Sequence, residues 1–431
     1  MFKKLVLIFF LILLFSYSYA DSSLNSIIPY IKQFARHDQQ NSLNLLETLV
    51  NINSGTENAN GVYEIGKILE AQFQALGFNT YWVEEPKNMH HAGTLIAERK
   101  GNRGKKILLI GHLDTVFPSN SPFREFKKSG KLAKGPGVID DKGGDVVILS
   151  TLKALQAIHG LDNTSITIAL TGDEENSGKP TSISRKALKT AAIGALVALD
   201  FEPAASLNSA TIARRGVCHW QITTYGKDLH SSQIFKSGVG DGAIFEMARI
   251  LNSIRSDMAT EKYLTFNPGI SIGGNLLTYN EIQGQGTVVG KDNIIASKNV
   301  ATGDLRFFTD NQKLQAEKMI QNIISQHLPD TNGQILFVDG PPGMPDSENN
   351  EKLLHQFSTL SEELGYGRIT ADDPLQRGAG DISYVASLVP ANLGGLGPTG
   401  GGTHSQDEYL EIDSLSRMSA RAALLIYSLT H

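Results

Sequence analysis

The sequence predicts an α/β fold in which a second, smaller α+β domain is inserted into the first. Over roughly the first 200 residues, short apolar runs alternate with segments of helical periodicity, as in a mostly parallel sheet covered by helices. After Pro203 the strands become longer and richer in glycine. Gly340-Pro341-Pro342-Gly343 then reads as a linker, after which helical segments resume. The first domain is therefore expected to be split by the second.

Composition limits the class of protein. A chain of 431 residues fits two or three domains. Hydrophobic residues make up 41% and charged residues 19%, which is typical of a globular protein. The formal net charge is −5 and there is no dense basic run, which argues against nucleic acid as a partner.

The N-terminus has the pattern of a secretory signal. Lys3 and Lys4 precede the apolar run Leu5–Phe15, and Ser18-Tyr19-Ala20 offers small residues for cleavage after Ala20. A secreted or periplasmic protein without a membrane anchor is expected, and an uncleaved anchor is the alternative. Cys218 is the only cysteine, which excludes an internal disulfide.

The elements of the first domain follow in order. Helices are predicted where apolar residues recur at helical spacing, over Asn41–Ile52, Val62–Leu76, from Lys142 onward and Ser184–Thr190. Strands are predicted at the apolar runs between them, Thr80–Val83, Thr94–Ala97, Ile107–Ile110, Ile166–Thr171 and Ala195–Phe201. The last part of the chain adds two helices, Asn350–Leu364 and Ser414–Leu429.

The inserted domain reads as helices on one face of an antiparallel sheet. Its predicted strands are Ala210–Tyr225, glycine-rich strand material over Ile270–Val289, Ala301–Phe308 and Gln334–Val338. Its predicted helices are Asp241–Ile254 and Asn311–His327. No internal repeat is visible in the sequence.

Polar residues follow the apolar runs at five places, which are His112/Asp114, Asp140-Asp141, Asp173-Glu174-Glu175, Asp200/Glu202 and His404. Each has a plainer explanation alone, such as a helix cap or a solvated acidic loop. An open α/β sheet, however, collects its site at the carboxyl ends of its strands. Two histidines and several carboxylates without a thiolate suit zinc, manganese or cobalt in a hydrolytic two-metal site. A P-loop is excluded, because no Lys-Ser or Lys-Thr follows the glycines.

Five motifs carry a resemblance to a known family. In chain order they are GHLDTV (111–116), GPGVIDDKGG (135–144), DEENSG (173–178), FEP (201–203) and GGTHS (401–405). Together they resemble the M20 metallopeptidases, in particular the glutamate carboxypeptidase (carboxypeptidase G2-like) branch. The resemblance implies a zinc-peptidase (phosphorylase/hydrolase-like) three-layer catalytic domain over residues 21–208 and 342–431. It also implies a ferredoxin-like lid and dimerisation domain over 209–341.

The resemblance also implies the metal ligands. Asp140 would bridge two Zn²⁺ ions, for which Co²⁺ or Mn²⁺ could substitute. His112 and Glu202 would complete the ligands of one ion, and Glu175 and His404 those of the other. Asp200 remains the alternative to Glu202. In the family the peptide bond after the bridging aspartate is cis.

Roles for further residues follow from the same resemblance. Asp114 would orient His112, and Glu174 would be the general base that moves a proton from the attacking water to the leaving amine. His230, in the lid motif Gly226–Ser232, would stabilise the oxyanion, reaching the partner subunit's site.

Two residues of the inserted domain would bind substrate. Asn293 matches the family's Asn-Ile-Ile-Pro motif, in which Ala296 here replaces the proline. Arg306 suits a bidentate grip on a substrate carboxylate. The glutamate-releasing branch has a basic residue near the exit from the lid. Residues 339–345 of this sequence, which form that segment, contain no Arg or Lys. As substitutes for that basic residue the sequence offers Arg214, Arg215 and Arg377, or these are ordinary structural charges.

The resulting hypothesis is an exported, homodimeric, dinuclear zinc hydrolase. It would cleave the amide bond next to a free carboxylate and release a C-terminal amino acid from a peptide or N-acyl amino acid. The alternatives are an N-acyl amino acid amidohydrolase or dipeptidase, and a dimeric binding protein that retains the fold. A metal-dependent nuclease or phosphatase is disfavoured by the acidic balance.

Overall fold

The structure, a computed structural model, describes the backbone of residues 2–280 and 284–431 and the side chains from residue 24 onward outside that gap. The predicted signal over residues 1–20 lies outside the residues with described side chains. The chain forms two compact units. Unit 1 comprises Met1–Ile212, Asp346–Asp372 and Tyr384–His431, and unit 2 comprises Ala213–Pro345 and Asp373–Ser383.

The helices of the described chain are, in order, α1 (Phe2–Val50), α2 (Ala59–Ala75), α3 (Lys142–Ala157), α4 (Thr181–Ser184), α5 (Lys186–Ala191), α6 (Ala243–Met258), α7 (Asp310–Ile324), α8 (Glu348–Glu363) and α9 (Ile412–Thr430). The strands up to the end of unit 2's sheet are β1 (Asn79–Val83), β2 (Thr94–Arg99), β3 (Arg103–His112), β4 (Lys127–Ser129), β5 (Leu132–Lys134), β6 (Thr164–Thr171), β7 (Val197–Asp200), β8 (Ser209–Ala210), β9 (Gly216–Tyr225), β10 (Thr265–Gly274), β11 (Leu276–Asn280), β12 (Gln285–Val289), β13 (Lys298–Phe307) and β14 (Asn332–Asp339). Unit 1 then adds β15 (Thr370–Ala371), β16 (Ala391–Leu393), β17 (Gly400–Gly401) and β18 (Tyr409–Glu411).

Unit 1 is built on a six-stranded sheet in the order β1-β2-β6-β3-β7-β16. The pairs β6/β3, β3/β7 and β7/β16 are parallel, whereas β1/β2 and β2/β6 are antiparallel. The buried runs Ile107–Ile110 and Ile166–Leu170 form its centre. Because β3, β6 and β7 are parallel, their carboxyl ends meet at one edge of the sheet.

Helices α1, α3 and α9 pack against one another, and α3 and α9 also contact β3. Nearly every residue of α3 is buried, because that helix lies between the sheet and other helices. Helix α1 begins well before Asn41, where the sequence analysis placed its start. Its earlier part presents Ile28, Ile31 and Ala35, buried at helical spacing.

Unit 2 has the predicted α+β arrangement. Its antiparallel sheet runs β10-β13-β9-β14, and α6 and α7 pack against it. Helix α6 buries Met247, Ile250 and Ile254 along one stripe. The indole of Trp220 stacks on Phe266 with ring centroids 4.2 Å apart. Cys218 is buried in β9.

Three sequence predictions differ from the structure. The strand predicted from Ala210 begins at Gly216, because Ser209–Ala210 pairs instead with β15. The helix predicted over Ser184–Thr190 is divided into α4 and α5 at Arg185, whose buried guanidinium pairs with Asp173. Residues 373–383, assigned from sequence to the catalytic domain, belong to unit 2.

The third difference has a visible cause. The Arg214 guanidinium donates hydrogen bonds to the carbonyls of Gly378 and Ala379, at 3.1 and 3.4 Å. Arg215 donates to the carbonyl of Leu375 at 3.4 Å. These contacts hold residues 373–383 to unit 2. Within the described part of the chain, no helix combines the length and apolar character that crossing a membrane requires.

Candidate active site

The site in unit 1 lies at the edge where the parallel strands end. His112 is the last residue of β3 and pairs in register with Thr171 at the end of β6. Glu174 and Glu175 follow β6, and Glu202 follows β7. Gly111, just before His112, has no room for a side chain, because a Cβ there would lie 2.8 Å from the Asp145 carboxylate.

Asp140 lies between two histidines. Its Oδ1 is 3.1 Å from His112 Nε2, and its Oδ2 is 3.3 Å from His404 Nε2. The peptide bond from Asp140 to Asp141 is cis, as the sequence analysis expected. Each carboxylate oxygen of Asp140 therefore faces a different imidazole, which is the arrangement that a bridging ligand requires.

A further carboxylate accompanies each histidine. Glu202 Oε1 is 3.6 Å from His112 Nε2, and Glu175 Oε2 is 3.2 Å from His404 Nε2. Of the two carboxylates that the sequence left open, Glu202 is thus the one beside His112. Asp200 is buried at the end of β7, where its carbonyl accepts the Leu396 N–H.

Negative charge dominates the electrostatics of the cluster. Burial alone would lower the pKa of His112, yet hydrogen bonds with Asp114 and Asp140 raise it well above its ordinary value. Hydrogen bonds with Asp140 and Glu175 raise the pKa of His404 to about 11. Burial raises the pKa of Glu175 to about 7. A field that retains protons on two imidazoles also favours a cation between them.

Asp114 is fully buried and organises the surroundings of His112. Its Oδ1 lies 3.3 Å from His112 Nδ1 and accepts the Glu174 N–H at 3.0 Å. Its Oδ2 accepts the Thr56 hydroxyl at 2.6 Å and the Glu175 N–H at 3.1 Å. Asp114 therefore supports both a histidine and the loop that carries two glutamates.

Sequence reasoning missed two supporting residues. Thr56 stands in a short loop after α1, and the sequence around it indicated only the end of a helix. Glu408 is fully buried, and its carboxylate accepts the N–H groups of Gly137, Ile139 and Asp140 at 3.1, 3.0 and 3.3 Å. Burial raises the pKa of Glu408 to about 7. Its place in an acidic, glycine-rich loop gave no periodic pattern to mark it.

Glu174 lies beside the ligand cluster. One of its carboxylate oxygens falls in a group with His112 and Glu202 whose donor atoms all lie within 4.8 Å of one another. In a second group, formed by His112, Asp140 and Glu175, the donor atoms also lie within 4.8 Å of one another. Imidazole and carboxylate donors at these separations fit a metal centre, and the two groups share His112.

The remaining predicted residues belong to unit 2. His230 is exposed, and its Nδ1 is 2.9 Å from the Ser232 hydroxyl. The carbonyl of Asn293 accepts the Ser231 N–H at 2.8 Å, so His230 and Asn293 lie on adjoining loops. Arg306, on β13, donates through Nε to Asp304 at 2.8 Å.

Comparisons with known proteins agree with this geometry. Residues 108–428 match the sequence model of peptidase family M20/M25/M40. Carboxypeptidase G2 of Pseudomonas sp. (strain RS-16) is 30% identical over 404 residues, which cover 92% of this chain and 91% of that protein.

Solved structures share the fold. Aminopeptidase PepT of Bacillus cereus superposes with a TM-score of 0.73 at 16% identity, covering 91% of this chain and 99% of that one. The YXEP protein of Bacillus subtilis, described as a dinuclear metal-binding peptidase of the M20 family, has a TM-score of 0.65 at 13% identity. That comparison covers 92% of this chain and 100% of the other.

Proposed function

Because the chain belongs to peptidase family M20/M25/M40 and is a hydrolytic enzyme, we propose that it is a dinuclear zinc carboxypeptidase. It would hydrolyse an amide bond next to a free carboxylate and release a C-terminal amino acid. The single observation that carries the proposal is Asp140, whose two oxygens face His112 and His404 at 3.1 and 3.3 Å.

The residues around Asp140 would hold the two ions. His112 and Glu202 would bind one, His404 and Glu175 the other, and Asp140 both. When bound, the ions would supply Lewis acidity for the scissile carbonyl and would lower the pKa of the attacking water. Zinc fits imidazole and carboxylate donors without a thiolate, and Co²⁺ or Mn²⁺ would suit the same set.

Glu174 would carry the proton. It would accept a proton from the attacking water and donate it to the leaving nitrogen, so that the amine departs neutral. Its position supports this role, since its carboxylate lies with His112 and Glu202 while Asp114 accepts its backbone N–H. The hydrogen bond from the backbone fixes the loop that carries this carboxylate.

Unit 2 would recognise the substrate. The Arg306 guanidinium would bind the free carboxylate and Asn293 would add a polar contact, while His230 would donate to the oxyanion. Carboxypeptidase G2, the relative at 30% identity, supports release of a C-terminal residue. We extend the proposal to an exported homodimer in which His230 serves the partner subunit's site.

The identity of the released amino acid is a separate question. Residues 339–345 lack a basic side chain, and Arg214 is engaged by backbone carbonyls. Both observations favour release of an amino acid without a second carboxylate, and the activity of an N-acyl amino acid amidohydrolase or dipeptidase is the alternative. A panel of N-acyl amino acids and dipeptides with acidic, neutral and apolar C-terminal residues would separate these activities from glutamate release.

Two neighbouring substitutions test the proposal. Glu174→Gln should retain both metal ions and lose about 10²- to 10⁴-fold in kcat, as expected for a missing general base. Glu175→Gln, the same change one residue on, should lower the metal content instead. Metal analysis and amide hydrolysis would be measured on both. Full activity of Glu174→Gln, or an unchanged metal content in Glu175→Gln, would contradict the assigned roles.

A further inference from the structure

A second cluster of ligand-type side chains lies in unit 1 and shares no side chain with the Asp140 site. Glu85 and His91 come from the segment between β1 and β2, and Asp173 directly follows β6. His91 Nδ1 lies 3.6 Å from Glu85 Oε2 and 3.5 Å from Asp173 Oδ2. One donor atom from each of the three residues lies within 4.8 Å of the other two.

These donors are buried and incompletely satisfied. The exposed fractions of the side chains are 5% for Glu85, 9% for His91 and 0% for Asp173. Neither carboxylate oxygen of Glu85 has a hydrogen-bond partner among the described residues, and neither has Nδ1 of His91. A buried carboxylate without hydrogen bonds is costly, so a group that binds both Glu85 and His91 is expected at this place.

The spacing suits a metal ion. Bonds of about 2.0–2.2 Å in a tetrahedral shell place neighbouring donor atoms roughly 3.3–3.6 Å apart. The two separations at His91 fall at the upper end of that range, and the two separations at Asp140 are 3.1 and 3.3 Å. Gly178 lines the cluster, since a Cβ there would lie 2.8 Å from Glu85 Oε2 and 3.2 Å from His91 Nδ1. A larger residue would therefore fill this space.

We propose that Glu85, His91 and Asp173 form a third metal site, which binds a single divalent cation of the zinc, cobalt or manganese class. The Gly178 N–H donates to Asp173 Oδ2 at 2.7 Å and so orients that oxygen toward His91. Arg185 binds the other oxygen and the carbonyl of Asp173. Asp173 precedes Glu174, so a bound ion would fasten the catalytic loop to the segment before β2.

The charge of the cluster favours an added positive charge. Glu85 and Asp173 contribute two negative charges and Arg185 one positive charge, so with neutral His91 the buried group carries a net −1. Either a proton on His91 or a bound cation can offset it. The proton is the rival explanation, and it predicts no additional metal.

Metal stoichiometry distinguishes the two explanations. The chain would be stripped with a chelator, reloaded with excess Zn²⁺, desalted and analysed for metal per chain. Glu85→Gln and His91→Asn should each bind about one ion fewer than the wild type. Glu84→Gln and His90→Asn are matched controls, because both residues are exposed neighbours on the same segment. They should retain the wild-type content.

Repeating the measurement in an Asp140→Asn background separates this inference from the proposed function. With the Asp140 site disabled, one ion should remain, and Glu85→Gln should remove it. Circular dichroism of the metal-free variants would verify that they fold. Equal metal content in folded wild type, Glu85→Gln and His91→Asn would overturn the third site in favour of the protonated histidine.

Discussion

Asp114 accepts the backbone N–H of Glu174 through Oδ1, at 3.0 Å. The same oxygen lies 3.3 Å from Nδ1 of His112. One buried carboxylate thus connects a predicted metal ligand to the backbone of the predicted general base. Changes at Asp114 should therefore affect metal binding and catalysis together.

Asp114→Asn should lower metal affinity or kcat/KM by about 10- to 100-fold, as for other residues that orient a metal-bound histidine. Both oxygens of Asp114 accept N–H groups, from Glu174 and Glu175. An amide places an NH₂ against one of these donors, whatever its orientation. Zinc affinity by chelator competition and steady-state kinetics would measure the loss.

Thr56→Val provides the control for this change. It removes only the hydroxyl that donates to Asp114 Oδ2 at 2.6 Å and leaves the carboxylate in place. Its effect should be smaller than that of Asp114→Asn, because the carboxylate still accepts the N–H groups of Glu174 and Glu175. The orienting role would fail if Asp114→Asn and Thr56→Val behaved alike.

Glu408→Gln should also weaken metal binding, by about 10-fold, although Glu408 is not itself a predicted ligand. The Glu408 carboxylate accepts three N–H groups of the loop that ends at Asp140, and an amide can accept at only one of its two heavy atoms. Asp407→Asn is the matched control, since the Asp407 side chain is 93% exposed. Equal zinc affinity in wild type and Glu408→Gln would show that the loop holds its shape without this contact.

The sequence was informative where the chain repeats a simple period or where polar residues interrupt an apolar run. Buried strands such as Ile107–Ile110 are continuous apolar segments, and His112 stands out because it ends one. Parallel pairing then accounts for the convergence of the loops after β3, β6 and β7 at one edge.

Contacts distant in sequence gave no such signal. Glu408 reaches a loop nearly 270 residues earlier in the chain, and nothing in its neighbours marks it as buried. Arg185 stands where α4 and α5 divide, and its buried guanidinium pairs with Asp173. Residues 373–383 belong to unit 2, where their backbone carbonyls accept hydrogen bonds from Arg214 and Arg215. These outcomes depend on tertiary structure, which periodicity does not encode.

The trans role of His230 can be tested by complementation. His230→Ala should lower kcat by about 10²- to 10³-fold, as for a lost oxyanion donor, while metal content stays unchanged. His219→Ala, which removes another exposed histidine of unit 2, is the control. If His230 acts on the partner, mixing His230→Ala with Glu174→Gln creates hybrid dimers with one intact site. Random mixing should then restore about a quarter of wild-type activity.

The outcome distinguishes three cases. Activity that rises on mixing supports a dimer in which His230 crosses to the partner. If mixing restores nothing although the subunits exchange, His230 acts within its own chain. An unchanged kcat in His230→Ala would remove the oxyanion role altogether.

The stability of unit 2 should depend on pH through the ionisation of the Glu246 carboxyl group. Its buried carboxylate accepts two hydrogen bonds from Arg249, at 2.7 and 3.1 Å, and the Leu328 N–H at 3.0 Å. Burial alone would raise the pKa of Glu246, but these hydrogen bonds outweigh it and lower the pKa below its ordinary value of 4.5. The stabilisation is therefore present above pH 4.5 and is lost as the pH falls through the lowered pKa.

Glu246→Gln should accordingly cost about 2 kcal/mol at pH 7, the scale of hydrogen bonds to a charged group, and progressively less below about pH 4. Trp220 fluorescence in a Trp82→Phe background reports unit 2 alone, because these are the two tryptophans of the chain. Denaturant unfolding would be followed from pH 3 to pH 7. Glu261→Gln, at an exposed position of unit 2, should follow the wild-type curve. A difference between Glu246→Gln and wild type that stays constant with pH would mean that Glu246 stabilises unit 2 by packing and not by its charge.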